Sequence, residues 1–170
     1  MRAFVMLALI LFNLAAQSAL FTRLAVWGAA PDTGVVLIVC YALLRGDLEG
    51  AAFGFFTGLS RDFFFGDIIG QQALLGFFLG YLAGKPFKDF FRDNNFLPVL
   101  LAGGGLLFYE TGFYLLTYLF VGETDFLFYL RRIILPETAY SLVVTVPLYR
   151  GLAFLNKKLE KREKRLRKLF

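Results

Sequence analysis

The chain has 170 residues, 58% of them hydrophobic and 18% charged, with net charge +5 and a mean hydropathy of +0.65. A soluble domain carries about 25% charged residues, so the composition argues against an ordinary soluble fold. Histidine is absent and Cys40 is the single cysteine, which removes the commonest general base, the commonest metal ligand and any intrachain disulfide.

About 20 apolar residues cross a hydrocarbon core of about 30 Å, and runs of this kind predict an all-α polytopic protein with six spans. The first is Ala3 to Leu20, whose start and small residues Ala16-Gln17-Ser18 also resemble a cleavable signal peptide. The second, Thr33 to Leu44, follows the helix-start pair Pro31-Asp32, and the third runs from Gly50 to Phe65. Both are short, which predicts a thin bundle or partly interfacial helices. Ile68 to Phe87, Leu97 to Val121 and Ile133 to Phe154 complete the set. Residues 1–154 then form a transmembrane domain, and 155–170 a basic amphipathic tail with Leu155, Leu159, Leu166 and Leu169 roughly on one side.

Charge sets the predicted orientation. With six spans, fourteen cations fall on the face shared by Arg2, Arg45, Lys85, Lys88, Arg92 and the tail; Arg23, Arg61, Arg131 and Arg132 fall opposite. The positive-inside bias therefore predicts that both termini are cytoplasmic. From Arg150 onward the charge is +7 and before it −2. A basic segment beside a span is more simply explained by anionic lipid and topology than by nucleic acid.

Small residues recur at four-residue spacing in two consecutive spans: Gly50, Gly54 and Gly58, then Gly76, Gly80 and Gly84. Such rows let helix backbones approach closely where lipid supplies no hydrophobic drive. Ordinary packing within the chain and a partner interface both use them. Asp62 extends the first ridge, four residues beyond Gly58. Arg61 and Asp62 near the outer end of the third span are costly in lipid and are expected to face the bundle interior or a partner.

Two further acids are embedded. Glu110 lies near the middle of the fifth span with no obvious cation at its depth, beside Tyr109. It reads as a ligand-facing or relay carboxylate, or as an acid hydrogen-bonded within the bundle. Glu137, after Pro136, lies within reach of Arg131 and Arg132 in sequence. Asn13 and Gln17, one turn apart in the first span, read as interhelical hydrogen-bonding residues. A Walker-type phosphate loop is missing, and Gly103-Gly104-Gly105 sits inside an apolar run. Catalytic residues, cofactor sites and metal sites are therefore not expected.

Several of these segments together resemble the rod shape-determining MreD family. They are Ala30-Pro31-Asp32 before the second span, Arg45-Gly46, Gly58-Leu59-Ser60-Arg61-Asp62, Gly66 and Gly70, Leu79-Gly80-Tyr81-Leu82-Ala83-Gly84, and Pro136 to Pro147 with Tyr140 inside. Glu137-Thr138-Ala139-Tyr140-Ser141 departs from the neutral stretch ending in Tyr-Asn that the family would carry, which leaves Glu137 without an assigned role. The resemblance implies a non-enzymatic component of the bacterial inner membrane within the cell-elongation machinery. Its partners would be an MreC-like protein, the actin-like MreB and peptidoglycan synthases. It further implies a six-helix bundle like the substrate-binding S-components of energy-coupling-factor vitamin transporters. A small-molecule-binding transport subunit, with Asn13, Tyr109 and Glu110 lining a cavity, is the alternative.

Overall fold

The computed structural model describes residues 2–23, 31–66, 68–88, 96–118 and 126–167. Among these every element is helical: α1 (Arg2–Arg23), α2 (Thr33–Arg45), α3 (Asp47–Phe65), α4 (Gln71–Gly84), α5 (Phe96–Tyr118), α6 (Phe126–Tyr129) and α7 (Leu135–Arg167). A 3₁₀ turn, Lys85–Lys88, extends α4. A π-helical turn, Leu130–Ile134, joins α6 to α7 so that the chain runs on as one rod. Pro136 accounts for that turn: it offers no N–H to the carbonyl four residues back and its ring crowds that carbonyl, and widening the helix relieves both. Ala30, Arg92, Lys168 and Leu169 lie outside the described residues.

Six long helices thus occupy the six stretches read as spans. Two of them, Pro98–Thr117 and Phe126–Leu159, are long and apolar enough to cross a membrane by length and composition alone. At 13 and 14 residues, α2 and α4 rise only about 20 Å. The fourth helix starts at Gln71, later than Ile68, because Ile68 to Gly70 form a turn that Gly70 closes with φ +101°.

Of the two expectations for the short second span, a thin bundle or a partly interfacial helix, its burial speaks against the second. Every residue from Thr33 to Leu43 is buried, and α2 packs against α3, α4, α5 and α7. A helix sheathed by other helices has no need to match the bilayer thickness. Asp32 caps its start by accepting the Val35 N–H at 3.0 Å, and Gly46, at φ 98°, turns the chain directly into α3. Around this axis the outward faces are apolar: Phe4, Leu7, Leu11, Phe55, Phe56, Phe63, Phe64, Phe77, Phe78, Leu107 and Phe108 are all exposed. A soluble monomer rarely shows so much contiguous apolar surface.

Candidate functional site

The glycine rows lie face to face. α3 and α4 run antiparallel, and a Cβ added at Gly54 would strike the Gly76 carbonyl, one at Gly80 the Gly50 carbonyl, and one at Gly58 the Gln72 carbonyl. Gly84 closes the far end against Asp47, whose Cα would lie 2.5 Å from an added Cβ. Backbone meets backbone along the whole seam, so all six glycines are engaged within the chain. The central glycine triplet differs: an added Cβ at Gly104 meets nothing, and one at Gly105 meets only the side chains of Leu79 and Val39.

Asp62 ends the α3 ridge against the start of α4. Its carboxylate accepts the backbone N–H groups of Gly70 at 2.9 Å, Gln72 at 3.1 Å and Ala73 at 3.0 Å. These are orphan donors of the first turn, so Asp62 caps a helix other than its own. Arg61 points elsewhere. Its Nη1 donates to both carboxylate oxygens of Asp32, at 2.9 and 3.1 Å, joining α3 to the start of α2. The guanidinium lies 5.6 Å from the centre of the Tyr109 ring, and the Tyr109 hydroxyl donates to Gln72 Oε1 at 3.3 Å. Ser141 Oγ accepts the Asp32 N–H at 2.9 Å, and Thr33 Oγ1 donates to Asn13 Oδ1 at 2.8 Å.

Arg61, Gln72 and Tyr109 of this network also line a cavity of about 590 Å³, together with Gln17, Ser18, Phe65, Glu110, Phe113 and Glu137. One carboxylate oxygen from each of Asp32, Glu110 and Glu137 lies within 4.8 Å of the others. The lining residues come from the late part of α1, α3 and α5 and the early part of α4 and α7. The cavity therefore opens at the end of the bundle away from the N-terminus and the basic tail. At the opposite end, Val5 and Leu9 line one small pocket with Leu155 and Leu159.

The arrangement corrects several sequence expectations. Glu110 does have a cation near it, because the fold brings Arg61 to the same cavity. Glu137 faces this cavity too, whereas Arg131 and Arg132 are exposed and Arg132 lies over the Phe128 ring at 5.4 Å. Tyr140 was expected to be buried or ligand-facing and is 39% exposed. Thr138, Ser141 and Thr145 take the inward stripe of α7, and Tyr140, one residue from Ser141, is turned about 100° away from it. Asn13 is buried beside the cavity, and Tyr109 and Glu110 line it. Asp32, Gln17, Gln72 and Ser141 belong to the same cluster, though the sequence marked none of them as a ligand or site residue. Matching depth was the available signal for one pair: Asp32 and Arg61 are charges at the same end of two neighbouring apolar helices, and such charges seek each other.

The family profile described as rod shape-determining protein MreD matches residues 1–159. The chain belongs to the MreD family. Membership assigns it to the rod-shape system and to a family of membrane proteins, in keeping with the apolar outer surface. No curated protein and no solved structure matches the chain. The MreD profile spans every element that builds the seam and the cavity, from α1 to most of α7.

Proposed function

We propose that this MreD-family chain is a non-enzymatic, six-span protein of the bacterial inner membrane that binds an MreC-type partner and supports lateral peptidoglycan synthesis and cell shape. Both termini are cytoplasmic, and residues 155–170 act as a basic tail on anionic lipid. The family match over residues 1–159 carries this reading. The seam supports it: with the glycines consumed inside the protein, α3 and α4 form a stiff pair that leaves exposed apolar faces for lipid and partner. A scaffold needs such rigidity more than it needs reactive groups.

Affinity purification of the tagged protein from its own host in mild detergent, with mass spectrometry of what co-purifies, tests the proposal. Stoichiometric recovery of an MreC-like protein is expected. The cavity, with Arg61, Tyr109, Glu110 and Glu137 among mostly apolar walls, favours a second reading, a small-molecule-binding transport subunit, and recovery of an ATPase pair with a coupling membrane subunit would replace the first reading with that one.

A further inference from the structure

Among the described residues, the cavity lining carries more acid than base. Arg61 is the cation among its described lining residues, and it is engaged by both oxygens of Asp32, so that pair is close to neutral. Glu110 and Glu137 remain, with carboxylate oxygens within 4.8 Å of each other and of Asp32. Two carboxyl groups this close ionise together only with a counter-charge, and otherwise keep a proton between them. A separate observation points into the same space. Gln17 lines the cavity, is only 3% exposed, and its Oε1 has no hydrogen-bond partner. A buried amide oxygen in that state forgoes a stabilising interaction unless something in the cavity supplies it.

We propose that the cavity binds a hard divalent cation, held by Glu110 and Glu137 with Asp32 at its edge and the Gln17 amide oxygen as a neutral ligand. Every available donor is oxygen, which selects the magnesium, calcium and manganese class over zinc or copper. The single thiol, Cys40, is outside the cavity lining, on the buried axis helix. A charge of two matches the two carboxyl groups left without a paired cation among the described residues, and binding would displace whatever protons they hold. The volume of about 590 Å³ exceeds one bare ion and leaves room for waters to complete its coordination. Bound there, the ion ties α1, α5 and α7 together and stabilises the end of the bundle opposite the tail. This inference does not rest on the elongation-complex reading and stands or falls separately.

The experiment uses the full chain in lipid nanodiscs, stripped with EDTA and titrated with Mn²⁺ under electron paramagnetic resonance, with Mg²⁺ and Ca²⁺ as competitors. One saturable site is expected, displaced by at least one competitor and accompanied by a higher Tm. The Glu110→Gln/Glu137→Gln double variant should weaken binding by roughly 100-fold or more, since even loss of a supporting partner costs about 10–100-fold. Gln17→Leu, which removes no charge, should weaken it about tenfold, and it keeps the test valid if the double variant fails to fold. Changing the tail acids, Glu160→Gln/Glu163→Gln, should leave the site intact. A wild-type protein without a saturable site overturns the proposal, and so does a Gln17→Leu or double variant that binds Mn²⁺ as tightly as wild type.

Discussion

Along the α3–α4 seam, backbone packs on backbone with glycine on both sides. At the cavity, charged, amide and aromatic side chains from α1, α3, α4, α5 and α7 line about 590 Å³ of space. On the proposed six-span topology, both regions answer the same difficulty, that lipid gives helices no hydrophobic reason to associate. The seam answers it by removing side chains, so that dispersion acts over a long and close interface. The cavity answers it with directional bonds between groups that are too costly to leave in hydrocarbon. Asp62 links the two, because its cap on α4 fixes the turn that carries Gln72 to the Tyr109 hydroxyl. A region packed without side chains cannot yield to an added one, whereas a region built on bonds can lose a member and relax around it.

That difference predicts an order of effects. Gly80→Leu should be the most damaging, because the Gly50 carbonyl that the new side chain meets is backbone and cannot swing aside. Overpacking costs about 1–3 kcal/mol where neighbours can shift and more where they are backbone, and the expected outcome is loss of monodisperse protein on size exclusion in detergent. Normal recovery of this variant would show that the seam is looser than its geometry.

Arg61→Leu comes next. Asp32 is 1% exposed and would be left without its cation. Breaking a buried pair on one side costs about 3–5 kcal/mol, read as a fall in Tm that Asp32→Asn in the same chain partly restores. Without that restoration, the harm would come from lost packing and not from an unpaired charge.

Asp62→Ala removes three accepted N–H bonds from the start of α4 and should cost about 1–2 kcal/mol, the upper range for a helix cap. Its signature is faster hydrogen exchange at Gly70, Gln72 and Ala73, with the rest of the bundle protected. Gly104→Ala should have the smallest effect and the opposite sign. Its Cβ enters open space, and alanine gains up to about 1 kcal/mol of helix propensity. If Gly104→Ala lowered Tm as Gly80→Leu does, close approach would not be what separates the two groups of glycines.

Much of this was readable along the chain and some of it was not. The four-residue recurrence of Gly50, Gly54 and Gly58, and of Gly76, Gly80 and Gly84, is a local property, so the ridges could be read directly. Asp62 could be placed on the first ridge by counting, but its capping role depends on where the turn before Gln71 ends. The Arg61–Asp32 pair joins residues 29 apart, and Glu137 reaches the acids of other helices through the packing of α7. Nearness in sequence pointed Glu137 toward Arg131 and Arg132 instead, while the π-helical turn and the inward stripe of α7 direct it to the cavity.

Apolar length, helical periodicity and glycine spacing are properties of successive residues, and they were enough to establish the long helices of the described residues and the ridges on two of them. The MreD-like order of motifs was also present in the sequence, and the family profile assigns the chain to that family. Only the tertiary structure decided that short α2 is the buried axis, that the two glycine ridges face each other, and that Arg61, Glu110, Glu137 and Gln17 share one cavity with Asp32 beside it. Rotation of each helix about its own axis is set by its neighbours, and that rotation determines which polar residues meet.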